Sequence, residues 1–133
     1  MREIVIHSLA QAVAALRAAK AIGVPVTLAS APDAALQTGP AWFKEVIATA
    51  IEAQPGVAVT SILDCGDAPA TVMAALRLGI TRLRFAGSDA VRAKLQAMGA
   101  EFASAPSAAL DLLNTRDPEA VCRVFLAATG NDS

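Results

Sequence analysis

Short apolar runs alternate along this chain with longer stretches in which apolar residues recur at helical spacing. The runs are rich in β-branched side chains, which is typical of strands that are buried on both faces of a sheet. The pattern predicts five strands, at residues 3–7, 26–29, 57–63, 81–85 and 101–105. It predicts helices at residues 9–22, 40–53, 68–78, 108–113 and 118–128, and another that runs from the turn 86–89 to residue 98. Ser8 is the candidate N-cap of the first of these helices.

Strict alternation of strands and helices with short links indicates a mainly parallel sheet with right-handed crossovers. The sequence therefore predicts a single three-layer α/β domain over residues 1–133, with a five-stranded sheet of a flavodoxin-like, Rossmann-like or half-barrel kind. Five strands do not suffice for a closed barrel of eight. Segment 30–39 exceeds the usual length of a strand-to-helix link and is a candidate functional loop. Arg82 and Arg84 alternate with apolar residues, so their strand is expected near a sheet edge or against a partner chain.

Composition narrows the classes of protein to which the chain can belong. Apolar residues make up 55% of the sequence and charged residues only 17%, which excludes disorder and indicates extensive burial. A net charge of −1 provides no field that would attract nucleic acid or an anionic membrane. No apolar stretch is long enough to span a bilayer, and the amino terminus does not have the form of a signal peptide. A cytoplasmic protein is therefore expected.

The third predicted strand ends in a carboxylate, a thiol and a glycine, Asp64-Cys65-Gly66. Parallel α/β sheets bind ligands at the carboxyl ends of their strands, so Asp64 is a candidate ligand-binding group or general acid/base. Asp64 can equally serve as a helix cap or a turn residue. Cys65 can be a reactive thiolate beside a helix amino terminus or a small buried side chain. The second cysteine, Cys122, lies in a helical pattern and is interpreted as a core residue.

His7, the only histidine, ends the first predicted strand. If the first and third strands are neighbours, His7, Asp64 and Cys65 converge at one edge of the sheet. Such a trio could hold zinc, with Cys65 and His7 as ligands, or form a thiol–imidazole pair. The alternative is that His7 is an ordinary hydrogen-bonded surface residue.

Two further turns carry polar residues at predicted strand ends. Ser30 follows the second strand, and Gly87-Ser88-Asp89 opens the helix after the fourth. Backbone N–H groups at such a helix start suit a phosphate or carboxylate. Asp89 can instead cap the helix with its own side chain, and capping is the more ordinary use of this turn.

Residues from about 6 to 88 resemble the amino-terminal half of class II, metal-dependent fructose- or tagatose-bisphosphate aldolases. In that family a strand ending in His-Leu-Asp-His-Gly is followed by a helix and by a strand ending in Asp-Gly-Ser. The corresponding segments here are Ile62-Leu-Asp-Cys-Gly66, the helix at 68–78 and Phe85-Ala-Gly-Ser88. Residues 9–28 are similar to the first helix and second strand of those enzymes.

The resemblance implies a role for several of these positions. Asp64 matches the catalytic aspartate of the family, which handles a proton, and Cys65 stands where the family has a zinc-binding histidine. Ala86 replaces the aspartate that precedes Gly-Ser. The family's remaining metal ligands and phosphate-binding loops come from later strands that have no counterpart here, so the resemblance implies a reduced or repurposed relative.

Three hypotheses about function follow. The first is a non-catalytic domain that binds a small molecule, which could bear phosphate, through His7, Ser30, Asp64, Cys65, Gly87 and Ser88. The second is a metal-assisted, aldolase-like lyase that is completed by oligomerisation, with Asp64 as the acid/base. The third is a structural or regulatory subunit. A homo-oligomer is expected, and the sequence identifies neither a cofactor nor the ligand.

Overall fold

The computed structural model describes residues 2–32, 34–106 and 108–129. Strands and helices alternate along most of the chain. Their bounds are β1 (Arg2–Ile6), α1 (Leu9–Ile22), β2 (Val26–Ser30), α2 (Ala34–Gln37), α3 (Pro40–Ala53), β3 (Val59–Asp64), α4 (Pro69–Arg77), β4 (Arg82–Arg84), α5 (Asp89–Ala97), β5 (Glu101–Phe102), β6 (Ala108–Asp111) and α6 (Pro118–Thr129). No helix among these residues is both long and apolar enough to cross a membrane.

The strands form a six-stranded sheet in the order β5-β4-β3-β2-β1-β6. β6 pairs with β1, β4 with β3 and β5 with β4, all in parallel. The α/β class with a parallel sheet is therefore confirmed, although the described sheet has six strands where five were predicted. The first five strands lie side by side in chain order, whereas β6 returns to the far side of β1. The order of the strands thus reverses between β1 and β6.

The prediction of a helix at residues 108–113 is wrong, because residues 108–111 form the sixth strand and residues 112 and 113 are not helical. Its register places Leu110 opposite Ile4 and Asp111 opposite Val5. Alanine has the highest intrinsic helix propensity, but such a preference is small compared with tertiary contacts, and the open edge of β1 offers backbone partners that outweigh it. A second difference lies in segment 30–39, which was interpreted as a loop and contains the short helix α2.

The contacts divide the chain into two compact units. The first comprises residues 1–29, 46–61 and 106–133, and the second comprises residues 30–45 and 62–105. The single domain over residues 1–133 stays a prediction, and each unit is described by itself.

In the first unit, helix α1 packs against α6. The buried face of α1 consists mainly of alanines, which allow close packing, and α6 contributes Cys122 and Leu126 to the core. Ser8 caps α1 by accepting a hydrogen bond from the Gln11 N–H at 3.2 Å, as the sequence predicts. On the surface of the pair, Glu119 contacts Arg17 at 3.6 Å and Arg123 at 2.9 Å.

The second unit has its own apolar core around β4. Phe85 is buried and stacks on Phe102 with ring centroids 5.6 Å apart. The Arg92 guanidinium lies over both rings and donates a hydrogen bond to the Phe85 carbonyl. β4 lies one strand in from β5, the last strand at that end, and the Arg84 guanidinium donates to the Ser104 carbonyl at 3.0 Å.

Candidate functional site

The carboxyl end of β3 is held by two hydrogen bonds, one to β2 and one within the turn that follows. The Asp64 N–H donates to the Ser30 hydroxyl at 2.8 Å, and the Asp64 carboxylate accepts from the Gly66 N–H at 2.9 Å. Ser30 is buried, while Asp64 is partly exposed. The second bond is the local turn that aspartate often forms with the backbone two residues on. These observations favour the interpretation of Asp64 as a turn residue. The Ser30 hydroxyl stabilises the end of β3 by accepting the hydrogen bond from the Asp64 N–H.

The Cys65 thiol lies in the core and is not poised to react. Its side chain is fully buried, and its sulfur lies 3.9 Å from the Leu63 carbonyl, to which the thiol donates. Burial, and secondarily the charge of Asp64, raise the pKa of Cys65 to about 12. The thiolate, which is the form that binds metals and attacks electrophiles, is therefore strongly disfavoured. Cys122 is similar, because burial and the charge of Glu119 raise its pKa to about 11.

The turn before α5 is also explained by local structure. Ser88 is the N-cap, and its hydroxyl accepts a hydrogen bond from the Val91 N–H at 3.3 Å. The cap is therefore Ser88, where the sequence favoured Asp89, which is the first residue of the helix. Gly87 is required for a steric reason, because a Cβ at this position would overlap the Phe85 ring. Gly87 and Ser88 thus shape and cap the turn.

At the reversal of strand order, His7 contacts an aspartate that sequence analysis did not single out. His7 directly follows β1, Asp111 is the last residue of β6, and the His7 Nε2 atom lies 2.6 Å from Asp111 Oδ1. Both side chains reach solvent, since 23% of the His7 side chain and 53% of the Asp111 side chain are exposed. A partly exposed polar pair therefore lies at the carboxyl ends of two adjacent parallel strands, β1 and β6.

The hydrogen bond determines which ring nitrogen of His7 carries the proton when the imidazole is neutral. Partial burial raises the pKa of Asp111, but hydrogen bonds from the Leu113 N–H and from His7, together with the charge of His7, outweigh burial and lower it. An ionised carboxylate only accepts hydrogen bonds, so Nε2 must donate. In the neutral form of the ring, the Nδ1 atom is then a bare acceptor, and no described residue forms a hydrogen bond to it.

Gln11 fixes this arrangement from helix α1. Its side-chain oxygen accepts from the His7 N–H at 2.8 Å, and its side-chain nitrogen donates to the Leu112 carbonyl at 2.7 Å. Asp111 Oδ1 also accepts from the Leu113 N–H at 2.9 Å. The backbone on both sides of the pair is therefore anchored, and the imidazole is held in one orientation.

Within each unit, the structure shows which predicted site residues are in contact. Ser30 and Asp64 meet in the second unit, whereas His7 belongs to the first and pairs with Asp111. The convergence of His7 with Asp64 and Cys65 was expected if β1 and β3 were neighbours, and the strand order does not meet this condition, because β2 lies between them. The convergence itself stays a prediction. Asp111 and Gln11 were missed, Asp111 because residues 108–113 were assigned to a helix. The signal that could have found it is the polar Asp111 at the end of an apolar run, Ala108-Ala-Leu110, the same pattern that marked Asp64.

The zinc that the aldolase resemblance implies does not fit the donors in the described part of the chain. No group of three or more histidine, cysteine, aspartate and glutamate side chains in residues 2–32, 34–106 and 108–129 could hold a metal ion. The cysteine at the expected ligand position is buried and carries a strongly raised pKa.

Comparisons with known proteins show the fold alone. No model of a known protein family matches the chain, and no curated protein matches it. The chain is similar to the crystal structure of a protein from Coccidioides immitis named as a putative fructose-1,6-biphosphate aldolase, with a TM-score of 0.59 and 16% sequence identity. The match covers 96% of this chain and 52% of the solved one, so this chain spans about half of that length. The aldolase-like α/β fold expected from the sequence is thus supported, while its metal-dependent class is not.

Proposed function

We propose that this protein is a binding domain for a small polar molecule, with its site at the carboxyl ends of β1 and β6. The observation that carries the proposal is the contact between His7 and Asp111 at 2.6 Å. In parallel α/β sheets, ligands bind outside the carboxyl ends of strands where the strand order reverses. β1 and β6 flank that reversal in this sheet.

The pair has the features of a recognition group. A carboxylate that fixes the tautomer and orientation of a histidine leaves the other ring nitrogen free to contact a ligand. Both side chains are partly exposed, and Gln11 anchors the backbone at His7 and at Leu112, so a ligand would meet a site that is already in place. Preorganisation of this kind lowers the cost of binding.

The alternative at the end of β3 has less support. At the end of β3, the side chains of Ser30 and Asp64 accept hydrogen bonds from backbone N–H groups, and Cys65 is buried. The Ser88 hydroxyl, at the start of α5, likewise accepts a hydrogen bond from a backbone N–H group. A role for Asp64 as acid/base in a lyase stays a prediction, as does a homo-oligomer.

The proposal is tested by titration with fructose 1,6-bisphosphate, the compound in the name of the solved neighbour. This probe carries both hydroxyl and phosphate groups. Since the chain has one histidine, the ring signals in an NMR spectrum belong to His7 without further assignment. Saturable shifts of these signals are expected in the wild type, with loss of binding in His7→Gln.

Wild-type binding is expected to persist in Asp67→Asn, which removes a carboxylate charge at an exposed position in the other unit. Absence of a saturable response, or equal binding by His7→Gln, would contradict the proposal.

A further inference from the structure

The outer edge of β6, which faces away from β1, presents backbone groups with no partner among the described residues. β6 is the last strand at its end of the sheet. Its register places Ala109 opposite Glu3 and Asp111 opposite Val5, and the Leu112 N–H donates to the Val5 carbonyl at 3.0 Å. In a parallel pair, a residue that faces the partner strand bonds to the two neighbours of the residue opposite it. Residues 108, 110 and 112 therefore bond to β1, and the N–H and C=O groups of Ala109 and Asp111 point outward.

The carboxyl end of this outer edge is closed by the side chain of Asp111. The Leu113 N–H is the next outward donor, and it donates to Asp111 Oδ1 at 2.9 Å. Ala109 and Asp111 thus remain as the residues of β6 that offer both an outward N–H and an outward C=O. Both residues are exposed, and an edge of this kind is a template for pairing with another strand.

The two outward residues match a second copy of themselves. In an antiparallel pair of β6 strands, Ala109 of one copy lies opposite Asp111 of the other, and the reverse holds across the two-fold axis. Every outward N–H group of these residues then meets an outward carbonyl, and the axis passes at Leu110. A parallel pair cannot close on such an axis, because each outward residue would have to lie opposite one that faces β1.

Charge is compatible with this register. Asp111 lies opposite an uncharged alanine, so like charges are not directly opposed, and the two Asp111 residues are diagonal neighbours roughly 7–8 Å apart. Each carboxylate also contacts His7 and accepts from the Leu113 N–H of its own copy. The charged residues that follow in the link and in α6 have both signs, and they are Arg116, Asp117, Glu119 and Arg123.

Apolar surface accompanies the unpaired backbone groups. Leu113 and Val124 are the two most exposed large apolar side chains in the described part of the chain, with exposed fractions of 58% and 74%. Leu113 lies two residues beyond Asp111, and Val124 is on α6, the helix that follows β6, where Val121 is exposed as well. Exposed apolar groups that cluster in one part of a fold are typical of a contact surface.

We propose that two copies of this chain pair through the outer edges of their β6 strands, antiparallel and with the two-fold axis at Leu110. The partner is a second copy because the outward groups of Ala109 and Asp111 complement their own copy. The pairing joins two sheets into one and gives a surface to the homo-oligomer expected from the sequence. The ligand site proposed above does not depend on it.

Light scattering during size-exclusion chromatography, over a series of protein concentrations, measures the dimer. Ala109→Pro removes an outward N–H and leaves the bonds to β1 in place, and proline is tolerated at such edge positions. Ala109→Ser keeps the N–H and is the matched control. The wild type and Ala109→Ser should form dimers of similar Kd, and Ala109→Pro should raise the Kd at least about tenfold, because each dimer loses two hydrogen bonds.

Two results of this measurement would overturn the proposal. One is a dimer that Ala109→Pro leaves unchanged, because the copies would then meet at another surface. The other is a wild-type monomer at all concentrations up to about 1 mM, which would leave the edge to a strand of a different protein.

A cross-link tests the register and also decides if Ala109→Pro does not fold. At the axis, the two copies of residue 110 form a pair without hydrogen bonds, whose short Cα–Cα distance suits a disulfide. Leu110→Cys should therefore give a covalent dimer on mild oxidation, seen by denaturing electrophoresis without reductant. Glu52→Cys is the control, an exposed position on α3, which connects β2 to β3. No covalent dimer with Leu110→Cys, or an equal yield with Glu52→Cys, would contradict the pairing.

Discussion

The His7 imidazole and the Asp111 carboxylate are 104 residues apart in sequence and 2.6 Å apart in space. Their contact joins the residue that follows β1 to the last residue of β6, and so ties the carboxyl-terminal strand of the described chain to the amino-terminal one. The contact has consequences for stability as well as for binding.

The first prediction concerns the charge of Asp111. Asp111→Asn should lower the free energy of unfolding at pH 7 by about 0.5–1 kcal/mol, the range of an exposed ion pair or hydrogen bond. The pKa of Asp111 is lowered in the folded state, so its contribution is present above the ordinary aspartate value of about 3.9 and is lost as the pH falls through the lowered folded value. Urea unfolding of wild type and variant at neutral and strongly acidic pH measures this difference. If the difference in the free energy of unfolding between wild type and variant were larger at acidic than at neutral pH, the prediction would be contradicted.

The second prediction concerns the close approach of Gly87 to Phe85. Gly87→Ala should destabilise the protein by about 1–3 kcal/mol, because the added methyl group overlaps a buried ring that stacks on Phe102. Urea unfolding measures the loss.

A double variant provides the control for this steric explanation. Phe85→Leu removes the ring, so Gly87→Ala should cost less in that background than in the wild type, and the two changes should not be additive. Additive effects would show that the overlap is not the cause.

The third prediction concerns the two thiols. Because burial raises the pKa of Cys65 to about 12 and that of Cys122 to about 11, neither should react with a disulfide reagent in the native protein at pH 8. Both should react promptly once the protein is unfolded in urea. The variants Cys65→Ala and Cys122→Ala assign each thiol. Rapid native-state labelling of Cys65 would contradict its burial and would restore it as a candidate metal ligand.

Sequence patterns predicted those parts of the fold that depend on residues close together in the chain. Alternating apolar runs and helical spacing located β1 to β4 and the long helices, and Ser8 was correctly identified as a cap. They failed at residues 108–113, where the partner strand β1 decides the structure. That partner is distant in sequence, so no local pattern could reveal it.

The candidate site was predictable only in part, for the same reason. The sequence singled out His7 because its position at a strand end is a local feature, and the structure places it directly after β1. Its partner depended on the order of the strands, which the sequence does not contain in readable form. At Cys65 the sequence left two interpretations open, a reactive thiolate and a small buried side chain, and the structure shows a buried side chain.

The central claim, that Asp111 holds the proton of the neutral His7 ring on Nε2 and leaves Nδ1 as an acceptor, is tested most directly by the protonation of the two ring nitrogens. A long-range ¹H–¹⁵N spectrum of the single histidine reports both nitrogens at once, above the titration midpoint of the ring. We predict that the proton resides on Nε2 in the wild type, and that Asp111→Asn shifts the population towards a mixture of tautomers. A proton on Nδ1, or a tautomer that does not respond to the loss of the Asp111 charge, would contradict the account.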